Sequence, residues 1–332
     1  MPNGPTVSVI IPAYNAEPTL SATLRALAQA EPPPHEVIVV DDGSSDGTRR
    51  CAESLGARVI QLEANRGAAA AKNRGARTAT GDALFFTDAD IVPPPQVIGV
   101  LQKALRAPAT DGVVGILSIE NAAGDWASQF KNLWMNFTYI RFERADRIGL
   151  FYTSAAAMRR TVFERLGGFD ENYRGPSIAE DTEFGQRAWS KGYRILLKPE
   201  LKVVHLKTYT LSRVLAEDLK RARALVMMRL RKWGQPFFTS VPLLFQLAVP
   251  ELYATILLTA LALVLAPSWA PPILVAGGIL FYLLNANLLW FLLRRRGIAF
   301  LLRSALFLPL DVLVVGAGML KGVLDFARGQ RY

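Results

Sequence analysis

The chain has 332 residues, a formal net charge of +10 and 51% hydrophobic residues, with a positive mean hydropathy. That apolar content excludes an ordinary soluble enzyme, and the single cysteine, Cys51, excludes an internal disulfide and fits a reducing compartment. The basic residues crowd into 202–232 and 294–303 and form no stripe interleaved with aromatics, which argues against a nucleic-acid partner and for membrane flanks facing the cytoplasm.

The chain enters its first apolar run, "VSVIIP" (7–12), without the charged start and cleavage site of a signal peptide. The soluble part is therefore expected in the cytoplasm. "VSVIIP" reads as a buried strand stopped by Pro12, and Leu20, Leu24 and Leu27 follow at helical spacing. "EVIVV" (36–40) is a second strand, leading into the turn "DDGSSDGT". "RVIQL" (58–62), "ALFFT" (83–87) and "GVVGILS" (112–118) continue the series, with an alanine-rich helix over 66–79. Strands alternating with helices predict a mostly parallel α/β sheet, whose ligands sit beyond the carboxyl ends of the strands. That rule brings Pro12–Asn15, Asp41–Asp42 and Asp88–Asp90 to one edge. From 145 to 206 the pattern loosens into a site-building extension with a short helix over 181–191, and 210–240 reads as a basic linker along a membrane surface.

The membrane region is expected over 241–332. A span over 252–266, extended back across Glu251, and another over 271–293 form a hairpin with the uncharged loop "APSWAPP" (266–272) outside. A third span over 298–320 is interrupted by Arg303, Pro309 and Asp311. Lys321, Arg328 and Arg331 pull the tail inward, towards a re-entrant third segment; the reading taken is three spans in the cell (inner) membrane.

Several carboxylates carry the chemistry. Asp88 and Asp90, in "FFTDADIVPPP" (85–95), place two negative charges at the tip of a buried strand, where like charges resist joint ionisation. A divalent cation carrying a diphosphate relieves this, because Mg²⁺ takes one or two carboxylates plus substrate phosphates. Of Asp41 and Asp42, one is expected to shape the turn, while Asp42 could accept a nucleobase N–H. Lys72, in "NRGAAAAKNRGA" (65–76), is a candidate phosphate or base contact. Asp181, in "AEDTEF" (179–184), reads either as a helix N-cap or as a general base towards an acceptor, with Glu180 on the acceptor side. His205 is either structural or a third metal ligand or phosphate contact.

"VSVIIPAYNAEPTL", "EVIVVDDGSSDGT", "NRGAAAAKNRGA", "FFTDADIVPPP", "GGFDENYRG" with "AEDTEFGQRAWSKGYRI", and "VVH" stand in an order that resembles the family 2 glycosyltransferases over roughly residues 6–206. The resemblance implies the GT-A fold, a nucleotide-diphosphate sugar donor such as a UDP-sugar, and Mg²⁺ or Mn²⁺. It implies that Pro12, Tyr14, Glu17 and Asp42 line the nucleoside pocket, that Asp88 and Asp90 are the metal-binding Asp-x-Asp pair, and that Asp181 is the catalytic base. Two departures matter. Lys72–Asn73 replaces the usual Arg–Asn pair, a change of geometry more than of charge. The Gln-x-x-Arg-Trp motif of processive synthases is absent, since "RLRKW" (229–233) lacks its glutamine, which favours transfer of a single sugar. The expected activity is inverting transfer to a lipid or polyprenyl-phosphate acceptor. The rival classes are a non-catalytic nucleotide-sugar-binding membrane protein and a sugar nucleotidyltransferase; the latter needs a Gly-rich phosphate loop that "PAYNAEPT" (12–19) does not offer.

Overall fold

The computed structural model describes residues 4–120, 124–173, 179–232 and 234–330. The segment "RGPSI" (174–178), Trp233 and Arg331, which entered the motif and topology readings above, lie outside the described residues.

The first of two compact units comprises residues 1–124, 139–208 and 235–238. In chain order it holds β1 (Val7–Ala13), α1 (Glu17–Ala28), β2 (Glu36–Asp41), α2 (Thr48–Ser54), β3 (Arg58–Gln61), α3 (Ala68–Thr78), β4 (Ala83–Phe86), β5 (Ile91–Val92), α4 (Val97–Arg106) and β6 (Gly112–Leu117). After α5 (Trp126–Ile140), most of which belongs to the second unit, come β7 (Ala156–Arg159), α6 (Arg160–Leu166), α7 (Glu180–Ser190) and β8 (Ile195–His205).

The eight strands form one sheet in the order β3-β2-β1-β4-β7-β6-β8-β5. β3, β2, β1 and β4 run parallel. Their continuous apolar runs, such as Val9–Ile11 and Ile38–Val40, are fully buried because helices cover both faces of such a sheet. α3 lies close on β1: a Cβ on Gly75 would fall 2.6 Å from the Ile10 side chain. β7 then inserts antiparallel between β4 and β6, so the strand read as fifth is not the next neighbour of β4. β7 has the sequence Ala-Ala-Met-Arg and so lacks the β-branched and aromatic residues that advertise a strand. β8 pairs parallel with β6, and its last residues turn back on β5, pairing Ile91 with His205.

The second unit comprises residues 125–138, 209–234 and 239–332. Besides α5 it contains α8 (Leu211–Arg231), α9 (Leu243–Leu265), a 3₁₀ turn (Pro267–Trp269), α10 (Ala270–Leu284), α11 (Ala286–Arg296) and α12 (Ile298–Ala327). Among the described residues, three helical stretches are long and apolar enough to cross a membrane: Leu243–Leu265, Pro267–Leu284 and Ile298–Ala327. Their bounds differ from the expected spans. The first begins well before 252 and runs through Pro250 and Glu251. The run expected as one span over 271–293 breaks at Asn285, whose Nδ2 donates to the Phe281 carbonyl at 2.9 Å. The third continues past 320 to Ala327, with Pro309 and Asp311 inside the helix.

α8 is more than a surface linker. It buries Val214, Ala222, Met227 and Met228, and Lys131 of α5 forms a buried ion pair with its Asp218. Trp126 and Phe130 of α5 stack and meet Phe307 of α12 edge-on.

Candidate functional site

The parallel pairing of β1 with β2 and β4 brings their carboxyl ends together. The Asp42 amide donates to the Ala13 carbonyl at 2.8 Å, and the Thr87 amide to that of Ile10 at 3.2 Å. Pro12 and Tyr14 stand at the end of β1, with the Tyr14 side chain 52% exposed. The next residue, Asn15, has φ +48, a conformation Asn tolerates better than most side chains. Its side chain accepts from the Ser45 amide at 2.9 Å, tying β1 to the loop after β2. Glu17 braces the same loop by accepting from the Gly47 amide at 2.9 Å.

The two adjacent aspartates divide their tasks as expected for one of them. Asp41 accepts from the Ser44 amide at 3.0 Å and so closes the turn. Asp42, 3% exposed, accepts from the amides of Arg66 at 2.8 Å and Gly67 at 2.9 Å, one on each oxygen. It therefore fixes the loop that leads into α3. Because a carboxylate offers about four acceptor positions, this pinning leaves room for a further donor such as a ring N–H.

Asp88 and Asp90 are held from opposite sides. Asp88 accepts from the Ser154 hydroxyl, which belongs to a 3₁₀ turn (Thr153–Ala155) before β7. Ser154 is itself fixed, since its carbonyl accepts from the Thr87 hydroxyl at 3.0 Å. Asp90 meets His205 Nε2 at 3.3 Å because the β5–β8 pairing carries His205 to it, and the Leu206 amide donates to the Asp90 carbonyl at 2.8 Å. Burial pushes the Asp90 carboxyl upward in pKa, but the hydrogen bond from His205 and the charges of His205 and Lys207 outweigh it and hold the group below its ordinary value.

Lys72 differs from the expectation. The sequence makes it a candidate phosphate or base contact; its side chain is 2% exposed and its ammonium is held inside the protein. Nζ donates to Glu180 Oε1 at 2.9 Å and to Thr153 Oγ1 at 2.6 Å, and lies 5.5 Å from the centre of the Phe169 ring. Burial works against its charge, but the carboxylates of Glu180, Asp88 and Asp181 prevail and keep its pKa above the ordinary lysine value. The lysine stays ionised throughout the physiological range. Glu180, expected on the acceptor side, is 3% exposed and engaged by this ammonium. Lys72 thereby ties the start of α7 to the turn that holds Asp88.

Asp181 lies within the first turn of α7 and does not cap it; Ala179 is the N-cap and gives no side-chain cap bond. Its Oδ1 accepts from the Thr182 amide at 2.6 Å. An acid in that turn is favoured by the helix dipole.

Three residues with clear roles were not singled out by the motifs. Thr153 and Ser154 act through the 3₁₀ turn, and no sequence signal marks them beyond two hydroxyls after an apolar run. Asn73, noted only as half of a pair, clamps the glycine turn: its Nδ2 donates to the Phe169 carbonyl and to Glu171 Oε1, each at 2.9 Å, and its Oδ1 accepts from the Phe169 amide at 2.8 Å. Gly168 must be glycine, with φ +72 and a Cβ that would fall 2.6 Å from Asn73 Oδ1. Asn73→Ala deletes these bonds and strands buried backbone groups, so it should lower stability by about 2–3 kcal/mol, read from denaturant midpoints at unchanged slope.

Among the described residues, no three His, Cys, Asp or Glu side chains converge closely enough to hold a metal by themselves. Asp88, Asp90 and His205 do not form such a group; His205 Nε2 lies 3.3 Å from Asp90 Oδ2. An open donor set of one or two carboxylates still fits Mg²⁺ or Mn²⁺ that draws its other ligands from a diphosphate.

Residues 8–167 match the sequence profile of the family described as glycosyl transferase family 2. A probable glycosyltransferase of Bacillus subtilis, YdaM, is 31% identical over 59% of this chain and 49% of its own length. Validoxylamine A glucosyltransferase of Streptomyces hygroscopicus subsp. limoneus is 30% identical over 62% of this chain and 53% of its own. The chain thus spans about half the length of these curated relatives. Among solved structures, the mannosyltransferase PcManGT of Pyrobaculum calidifontis, in complex with GDP-Man and Mn²⁺, superposes with a TM-score of 0.61 at 26% identity, covering 97% of this chain and 88% of that one. S. aureus TarS 1-349 with UDP superposes at 0.51 and 19% identity over 98% and 93%, a likeness of fold. The mixed, mostly parallel sheet with flanking helices is the GT-A arrangement, followed here by an all-helical region.

Proposed function

With a family 2 glycosyltransferase domain over residues 8–167, we propose that the chain is a membrane-anchored enzyme moving one sugar from a nucleotide-diphosphate sugar to a lipid or polyprenyl-phosphate acceptor. The observation that carries this reading is the placement of Asp88 and Asp90 at the carboxyl end of β4, each oriented by its own partner, on the edge shared with Pro12, Tyr14, Glu17 and Asp42. Tyr14 offers an aromatic face to a base, and Asp42 has acceptor positions left for a ring N–H. The GDP-Man and UDP bound by PcManGT and TarS support a nucleotide donor and leave uridine and guanosine both as bases to test.

Asp88 and Asp90 would hold the cation, as the Mn²⁺ in the PcManGT complex supports, and that cation would neutralise charge on the departing diphosphate. Asp181 takes the proton of the acceptor hydroxyl as its oxygen attacks the anomeric carbon from the face opposite the leaving group. The bond from that carbon to the diphosphate oxygen breaks, which inverts the configuration. If the acceptor is already an anionic phosphate, Asp181 orients it and accepts no proton. Positive-inside counting supports a cytoplasmic side of the cell membrane for this unit.

Purified protein incubated in lipid extract with a panel of radiolabelled UDP- and GDP-sugars should give one labelled lipid; water-soluble label alone would refute the lipid acceptor. EDTA should abolish the transfer, with Mn²⁺ or Mg²⁺ restoring it. Asp90→Ala should weaken donor binding far more with metal present than without, as titration calorimetry reads directly. Donor binding indifferent to both treatments would sink the metal role.

A further inference from the structure

We propose that α12 is not a third membrane crossing: it passes obliquely across the α9–α10 hairpin at the cytoplasmic face of the bilayer, where its apolar stripe meets lipid. The inference goes beyond the proposed reaction and rests on the reading that the hairpin enters a membrane.

The contacts between α12 and the hairpin give its direction. The Tyr282 hydroxyl of α10 donates to the Ala305 carbonyl at 3.0 Å, and the Tyr253 hydroxyl of α9 donates to the Leu313 carbonyl at 2.7 Å. Tyr253 also packs on Gly316, where an added Cβ would fall 2.3 Å from its ring. Tyr253 and Tyr282 stand level on the hairpin, each about 20 Å from the Ala266–Trp269 turn at 1.5 Å per residue. A third span running along the hairpin would meet two level residues at one height on its own axis. α12 meets them at 305 and 313–316, about 12–16 Å apart along it, somewhat more than the 8–10 Å between packed helix axes. Contacts about 12–16 Å apart on axes about 8–10 Å apart correspond to a helix that passes obliquely across both, at roughly 30–55°.

The neighbour of α12 on its other side agrees. A Cβ on Gly318 would fall 2.4 Å from the Leu219 carbonyl of α8, and one on Gly322 2.8 Å from that of Arg223, so the two backbones nearly touch. Arg223 Nε donates to Asp325 Oδ2 at 2.6 Å, continuing the same side-by-side, parallel register. α8 presents Arg213, Lys220 and Arg229 to its surroundings. A helix so charged cannot lie in hydrocarbon, and α12 runs beside it from about Asp311, which meets Asp218, to Asp325. The hairpin contacts at 305 and 313–316 fall just before and at the start of that stretch. Leu302, Leu306, Leu310, Leu320 and Leu324 meanwhile form one exposed stripe along α12, with Ser304, Asp311 and Asp325 buried behind it. One lipid-facing stripe is what a helix in the interface plane presents, and Arg294–Arg296 and Lys321 suit the anionic cytoplasmic leaflet.

The test uses the full chain in a Cys51→Ser background, expressed in bacterial cells, with single cysteines Ser268→Cys in the hairpin turn and Ala327→Cys at the end of α12. An impermeant thiol reagent should label Ser268→Cys in intact cells and Ala327→Cys only after permeabilisation. Labelling of both in intact cells would overturn the proposal while leaving the hairpin intact. Protein released from membranes by carbonate would instead refute the membrane reading itself. Fusing green fluorescent protein after residue 332 gives a second readout independent of cysteine folding: fluorescence supports a cytoplasmic tail, and a dark, fully expressed fusion opposes it.

Discussion

Asp181→Asn should bind the nucleotide sugar almost normally while transferring it roughly 10²–10⁴-fold more slowly, the usual range for general acid–base help. The base is required only when donor and acceptor are both present, so donor affinity is spared. Asn keeps the size of the side chain and an oxygen to accept from the Thr182 amide, as Asp181 does at 2.6 Å. What it removes is charge and basicity. A purely structural Asp181 predicts otherwise: losing an acid from the first turn of α7 costs about 0.3–1 kcal/mol of stability and leaves turnover alone. Donor affinity, turnover and melting temperature on this one variant separate the two. Turnover near wild type would remove Asp181 from the chemistry and require an acceptor that arrives already ionised, as a phosphate does.

Lys72→Met should destabilise the protein by up to about 3–5 kcal/mol, because it removes the ammonium paired with the buried Glu180 carboxylate. For a unit of this size that corresponds to a melting temperature lower by roughly 6–20 °C. The second variant is the informative one. Lys72→Met with Glu180→Gln removes both charges of the pair, and most of the lost stability should return, since neither member of it remains to be desolvated. Transfer should stay impaired, because the ammonium no longer ties the start of α7 to the Thr153–Ala155 turn that orients Asp88. A single variant as stable as the parent would contradict the buried pair. Full recovery of turnover in the double variant would show that the pair serves folding alone.

The contrast between Lys72 and Asp88 shows how far residue type carries. Asp88 and Asp90 were legible because two carboxylates beside a run of prolines are odd at the end of an apolar strand, and the structure places them there. Lys72, near a helix start, reads from its sequence as a candidate phosphate or base contact. Its burial comes from Glu180, 108 residues away, and no local pattern reports a partner at that distance. The parallel strands were legible from β-branched runs such as Val37–Val40. The antiparallel β7 was not, since alanines fit strand and helix alike. Apolar length identified the membrane-seeking helices but not their direction, because a 30-residue apolar helix reads the same whether it crosses a bilayer or lies along it. The break at Asn285 escaped for a similar reason: one neutral amide barely alters the hydropathy of its run.

The turn between α9 and α10 bears on how the protein is made. On the two-crossing topology proposed above, the piece of chain that would reach the far side of the membrane is "APSWAPP", which contains no ionisable group. Moving a single Lys or Arg through the bilayer centre costs about 2.5–3.5 kcal/mol on insertion scales, and this hairpin incurs none of it. On that topology its two helices would partition together as they leave the ribosome and its insertion channel, with the Arg294–Arg296 cluster kept on the side of synthesis.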